Sequence, residues 1–532
     1  MPNDGSRGDL TLMKSVQPIQ VVKLPSVLLF VLFQVWVVTQ AWGTVSECAI
    51  PHVEPAPVVS LAPVANSPYF LAEFRARDQR TLKAYYYLPT GLRTNSPVVF
   101  VMHGAGRDAL NHLQLFASAA ERHAALAIAI EFNQANYPSS DHYTLGVGRE
   151  EVPDSGIYDP LQWLDPIDYR YQEIERVFEM AKNRFGLDAC GYSLVGHSAG
   201  GQFVHRFVTF MRDARLLRAV AVNAGWYTLL SSGNGRDPNY YMPYGLQGTP
   251  LNNDDMRAVL AKDLVVLVGE EDILTANEDD LVRGTDQAQH QGVNRLERAT
   301  FYFERAKTSA ERLGMRSNWR LNVIPKASHN FREVMASAAW YLFATADEKP
   351  CESSDSDVAN NLRVDEIHAD PAVGAKGDAN HDGIRDSQDD EFVELRNHGA
   401  QPLCLTGWTL GDSTRSRRHV FPIGTQLNAG RALLVFGGGI PTGAFGSALV
   451  QTASSGLLNL NNAGDSLRLT NPRGVETKHI SWGSCVETGC RDEYLNFDLE
   501  IDQSITHTAQ NPSQWVPHKV IDGQPYSPGT LP

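Results

Sequence analysis

Apolar positions fall into three regimes along the chain. Near the N-terminus, residues 24–38 form one apolar run broken only by Pro25, Ser26 and Gln34. Between about 66 and 348, short solid apolar runs such as Val98-Val99-Phe100-Val101-Met102 and Leu264-Val265-Val266-Leu267-Val268 alternate with helical patterns, for example 171–184 and 293–313. Uninterrupted apolar strands separated by helices predict a mostly parallel sheet covered by helices on both faces. Beyond 361 the pattern changes to short strands, at 364–367, 391–395, 408–410, 432–436 and 466–470, set between Gly, Asn and Asp turns. That is the signature of an all-β sandwich. Residues 44–65, rich in Pro and Val, read as an extended lead-in. Cys351-Glu352-Ser353-Ser354-Asp355-Ser356-Asp357 places a solvated linker at 349–360.

The first regime predicts a signal peptide over 1–43. Lys14 and Lys23 precede the apolar run, and Ala41-Trp42-Gly43 puts small residues where a signal peptidase reads. The run is short for a membrane span. The expected location is therefore extracellular or periplasmic, with possible surface association left open. Six cysteines, Cys48, Cys190, Cys351, Cys404, Cys485 and Cys490, all follow that segment. An even count suits disulfides in an oxidising compartment, although spacing leaves the pairing open. Cys485 and Cys490 are close enough to staple one loop.

Composition narrows the classes. Hydrophobic residues make up 42% of the 532, enough for ordinary globular cores, and the length calls for more than one of them. A net charge of −15 argues against nucleic acid as a partner, because binding phosphates needs basic surface.

The central region carries a serine-hydrolase constellation. Tyr192-Ser193-Leu194-Val195 reads as a strand, Gly196-His197-Ser198-Ala199-Gly200-Gly201 as a turn, and 202–211 as a helix. Glycines flank a nucleophile held in a strained turn because backbone approaches it from both sides. Ser198 is therefore the expected nucleophile; Ser193 lacks the glycine pair, and His197 should point away and be structural. The strand at 98–102 runs into His103-Gly104-Ala105-Gly106, which predicts an oxyanion hole from the amide of Ala199 plus that of Gly104 or Ala105. Past the strand at 264–268, Gly269-Glu270-Glu271-Asp272 places acids at the sheet's active edge. Asp272 is the favoured acid, Glu270 and Glu271 the alternates, and Asp279 and Asp280 are expected to be solvated. The strand at 319–324 leads to His329, the expected base, giving the chain order Ser, Asp, His.

Over residues 66–348 these motifs resemble the α/β-hydrolase superfamily, and within it secreted esterases and depolymerases of the polyhydroxybutyrate depolymerase and feruloyl esterase type. The resemblance implies hydrolysis of an ester, small or polymeric, through an acyl-enzyme, with no cofactor in the chemistry. A serine peptidase or amidase on the same fold remains an alternative, as does a surface-binding protein with an inactive hydrolase fold. Tyr158, Trp163, Trp226, Tyr227, Tyr240, Tyr241 and Tyr244 either line a substrate cleft or form core under long loops.

Residues 361–532 resemble the lamin-tail domain, an immunoglobulin-like sandwich. The likeness rests on Leu362-Arg363-Val364-Asp365-Glu366-Ile367, Glu391-Phe392-Val393-Glu394-Leu395 and Leu405-Thr406-Gly407-Trp408-Thr409-Leu410, with Asp502-Gln503-Ser504 and Ser527-Pro528-Gly529 near the end. It implies a non-catalytic role in cell-surface or polymer attachment. Within this region Asp378, Asn380, Asp382, Ile384, Asp386 and Asp389 fall at ligand positions of a calcium loop, with Gly383 at its sharp turn. Asp389 replaces the usual bidentate Glu, and no flanking helix pair is evident. The expectation is a structural calcium.

Overall fold

The computed structural model describes residues 53–64, 68–148, 163–233, 235, 237–344, 350–483, 493–495, 502–507 and 514–530. The expected signal peptide, Cys48, Cys485, Cys490 and Tyr158 lie outside the described residues. Residues 51–532 form one compact unit.

The first half folds as β1 (Val58–Pro63), β2 (Tyr69–Arg75), β3 (Thr81–Tyr87), β4 (Val98–Met102), α1 (Ala109–Arg122), β5 (Leu126–Glu131), α2 (Ser140–Thr144), α3 (Gln172–Phe185), β6 (Tyr192–His197), α4 (Ala199–Phe210), β7 (Leu216–Val222), α5 (Asn253–Ala261), β8 (Leu264–Gly269), α6 (Asp286–Gln291), α7 (Arg295–Arg312), β9 (Arg320–Ile324) and α8 (Phe331–Phe343). These strands make one nine-stranded sheet in the order β1-β2-β3-β5-β4-β6-β7-β8-β9. The run from β5 to β9 is parallel, and β1 to β3 pair antiparallel at one edge. β1 turns part of the expected lead-in into an edge strand.

Burial explains the solid apolar runs. Along β4, Phe100 and Met102 face a core shared with Phe203 and Phe207 of α4, while Val99 and Val101 face one shared with Leu113 and Phe116 of α1. Each strand must therefore be apolar on both faces. Because α1 and α4 leave neighbouring strands on opposite faces, a crevice opens beyond the carboxyl ends of β4 and β6. Open α/β sheets bind their ligands in such a crevice. This is an α/β-hydrolase fold.

The second half is β-rich. A six-stranded sheet contains Leu362–His368, Phe392–Asn397 and Ala432–Phe436 at its centre, and a five-stranded sheet contains Thr409–Gly411, Gly464–Thr470 and Glu476–Gly483. Most pairs are antiparallel, and the buried core includes Trp408 and Trp482. The expected sandwich is present.

The expected linker is largely exposed and partly helical. α9 (Asp355–Asn361) lies within it, and Cys351 forms a disulfide with Cys404. Ser354 accepts a hydrogen bond from the Asp357 amide, so the Ser and Asp residues that read as linker start a helix instead. The two halves also pack together. Ile423 belongs to the core formed by α1 and α8, its amide donates to Ser337 Oγ at 3.1 Å, and Arg122 donates to the Val450 carbonyl at 2.9 Å. Among the described residues no helix is long and apolar enough to cross a membrane.

Candidate active site

Ser198 sits between β6 and α4 with φ 56° and ψ −116°. A backbone held there costs about 1–3 kcal/mol and persists only when its surroundings enforce it. The Ser198 amide donates to the Val222 carbonyl at 2.9 Å. The glycines follow from space. A Cβ on Gly196 would stand 2.4 Å from the Gly200 carbonyl oxygen, one on Gly200 2.2 Å from that of Met102, and one on Gly201 2.6 Å from that of Val222. All three obstacles are main chain and cannot swing aside. Gly200→Ala is therefore expected to destabilise the protein by about 3 kcal/mol or more, read by denaturant unfolding. A wild-type midpoint would count against this packing.

Ser198, His329 and Asp272 come together. The Ser198 hydroxyl lies 3.1 Å from His329 Nε2, and His329 Nδ1 donates to Asp272 Oδ2 at 2.7 Å. With its Nδ1 proton held by the carboxylate, the ring presents the Nε2 lone pair to the hydroxyl. Asp272 is 1% exposed and the His329 side chain 23%, so the acid is sealed while the base can be reached.

The loops carrying acid and base are laced to each other. Asn223, at the end of β7, accepts from the Gly269 amide at 2.8 Å and donates to the Ser328 carbonyl at 3.0 Å. Glu270, an alternate acid by sequence, instead accepts from the Lys326 amide at 2.9 Å. Glu271, the other alternate, pairs with Arg417 of the sandwich at 2.6 Å, and Arg417 also donates to the Lys326 carbonyl. His197 is structural, as expected: its Nε2 donates to the His329 carbonyl at 2.9 Å, and burial holds its pKa well below the usual range.

At the oxyanion loop the two expected donors separate. The Gly104 amide donates to His112 Nε2 at 3.2 Å, and the ring is fixed by Asp108, 3.1 Å from its Nδ1. Gly104 is thus already engaged, which leaves the amides of Ala105 and Ala199 for a developing oxyanion. The Ala199 amide opens α4, where first-turn N–H groups have no partner within the helix. Bracing comes from His103, whose Nε2 accepts from the Phe132 amide at 3.1 Å, and from Arg107, which donates to the Phe132 and Tyr137 carbonyls at 3.0 and 3.1 Å.

One sequence expectation changes, and one reading left open is narrowed. Asp279 is half-buried rather than fully solvated; it pairs with Arg295 at 3.1 Å, and the same guanidinium reaches Asp272 Oδ1 at 3.2 Å. Of the aromatics, Trp226, Tyr227, Tyr240 and Tyr244 are buried core, while Trp163 and Tyr241 are half-buried. Sequence reasoning missed Arg295, Asn223, His112 and Arg417. Only Asn223 carried a local signal, a polar residue closing an apolar strand.

The loop expected to hold calcium forms its turn, with Gly383 at φ 86°. The Gly383 amide donates to Asp378 Oδ2 at 3.1 Å, that of Asp382 to Asn380 at 2.9 Å, and that of Ile384 to Asp382 at 2.8 Å. Asp386 accepts from the Gln388 and Asp389 amides. Among the described residues, no three carboxylate, imidazole or thiol groups gather as a metal site.

Residues 355–484 match the family model of the Lamin Tail Domain. No curated protein matches the chain. Among solved structures, the chain is similar to LpqC, a poly(3-hydroxybutyrate) depolymerase from Bordetella parapertussis, at 28% identity over 51% of this chain and 88% of that one, with a TM-score of 0.46. It is also similar to poly(aspartic acid) hydrolase-1 from Sphingomonas sp. KT-1, at 29% identity, 55% and 98% coverage and a TM-score of 0.44. An acetyl xylan esterase from Paenibacillus sp. R4 matches at 16% identity, 52% and 84% coverage and a TM-score of 0.32. By its strand order the first half has the α/β-hydrolase fold, and residues 355–484 of the second match the lamin tail domain.

Proposed function

We propose that the protein is an exported serine hydrolase acting on carboxylic esters. The observation that carries this reading is the continuous path Ser198–His329–Asp272, at 3.1 and 2.7 Å, with the amides of Ala105 and Ala199 assigned to the oxyanion. His329 takes the Ser198 proton as Oγ attacks the ester carbonyl. The two amides receive the charge of the tetrahedral intermediate. His329 then returns the proton to the departing alcohol, leaving an acyl group on Ser198. Water, deprotonated by the same ring, releases the acid and restores the serine. An alcohol leaves such an intermediate with less assistance than an amine, so this set of groups suffices for esters without further leaving-group machinery.

Labelling of the full chain with a fluorophosphonate tests the nucleophile; wild type that folds but fails to label overturns the reading. Turnover of p-nitrophenyl esters without turnover of peptide anilides supports the ester class, and the reverse result replaces it with an amidase. Export is supported by the Cys351–Cys404 disulfide and by the lack of free cysteines among the described residues, since such bonds persist in oxidising compartments.

Calcium at 378–389 is a second proposal, in a structural role. Asp378 Oδ1 is buried without a hydrogen-bond partner at the loop's first ligand position, so one carboxylate oxygen there is left over for a cation. Millimolar calcium is expected to raise Tm by several degrees and a chelator to reverse it. A Tm unmoved by either overturns the proposal.

A further inference from the structure

Arg295 opens α7, immediately after Asn294, whose side chain caps the helix by accepting from the Glu297 amide at 2.9 Å. An arginine in a helix's first turn ordinarily points to solvent, because the helix dipole there disfavours a positive charge. This one turns inward and is 1% exposed. Nη1 donates to Asp272 Oδ1 and Nη2 to Asp279 Oδ2. The helix start holds the acid a second way, since the Leu296 amide donates to the Asp272 carbonyl at 3.3 Å.

We propose that Arg295 is a positioning residue for the acid of the triad, with Asp279 as its charge partner. This rests on the Ser198 reading above. The division of labour is visible atom by atom. Arg295 takes Oδ1 of Asp272, so that Oδ2 is the oxygen offered to His329, and the carboxylate cannot rotate without breaking one bond or the other. A lone buried cation beside the acid would cancel the negative charge that stabilises the imidazolium. Asp279 returns it: two carboxylates around one guanidinium present a net single negative charge to the ring. The other titratable groups facing His329 are His197 from β6, whose ring centre is 4.7 Å away, His112 from α1 beyond it, and Glu333 from α8, which binds Ser328. None of them touches the Asp272 carboxylate.

The arrangement predicts opposite movements of the acid limb of the kcat/KM profile in two variants. Arg295→Met removes a positive charge, favours the imidazolium and moves that limb to higher pH, by about one unit. It also frees Asp272 to rotate, so kcat falls about tenfold or more while KM stays within a factor of about two. Asp279→Asn removes a negative charge, moves the limb to lower pH and lowers kcat as the imidazolium loses support, with Asp272 still anchored. Arg295→Lys keeps the charge and restores the wild-type limb.

The experiment is the pH profile of p-nitrophenyl butyrate hydrolysis by full-length wild type and these three variants. Asp279 lies at the rim, so its variant keeps the test open should Arg295→Met fail to fold. Profiles that superimpose, or shifts in the same direction, overturn the inference. A wild type that is not labelled at Ser198 by fluorophosphonate overturns the underlying reading instead. Labelling with unshifted profiles defeats the role of Arg295 alone.

Discussion

Ser198→Ala is expected to abolish fluorophosphonate labelling and to lower kcat on p-nitrophenyl esters by about 10⁶-fold. The size follows from the geometry. The hydroxyl is the atom that forms the acyl bond, and the nearest other serine of the motif, Ser193, lies within β6, its main chain paired beside Val99 of β4. Nothing nearby can substitute. Activity should not fall to the uncatalysed rate, because the amides of Ala105 and Ala199 remain, and such donors with substrate binding retain about 10³–10⁴-fold catalysis over water. Labelling that survives the substitution, or a loss of less than about tenfold, would place the nucleophile elsewhere.

The second large effect is expected at Asp272. Asp272→Asn should lower kcat by about 10⁴-fold with little change in fold, since the two side chains have nearly the same shape. Arg295 makes the outcome more definite than the substitution alone. Its guanidinium can only donate, so it will bind the oxygen of the new amide and leave the NH₂ group facing His329 Nδ1. A donor at Nδ1 forces the ring's proton onto Nε2, the atom that must accept from Ser198. The base is then present, well placed and in the wrong tautomer. Steady-state kinetics on a p-nitrophenyl ester checks this, and a variant within about tenfold of wild type contradicts it.

Ser198, Asp272 and His329 were legible in the sequence because strand ends fix them. Each follows an apolar run by a few residues, and a parallel sheet brings all such ends to one edge. Arg295 was not legible. Its neighbours in sequence describe an exposed first helical turn, and only the approach of α7 to the end of β8 gives its guanidinium two carboxylates, Asp272 buried and Asp279 half-buried. The choice between Gly104 and Ala105 depends on His112, a side chain from the helix behind the loop. Tyr227 and Tyr244 carry no local mark separating core from cleft, because an aromatic ring suits either. The 349–360 segment failed differently: Ser354 and Asp357 are helix-capping residues as well as polar ones, and composition alone favoured the second meaning.

The contacts of Arg417 with Glu271 and with the Lys326 carbonyl join the sandwich to both loops that carry the acid and the base. Ile423 meanwhile occupies the core behind them. The lamin tail domain is therefore poorly described as cargo on a tether. A substitution on its inner surface reaches the loops that carry Asp272 and His329 directly, and a change in those loops must suit a partner 91 residues or more away in the chain. Exchange of one half for a homologous half would preserve each fold and still separate two surfaces that fit one another here.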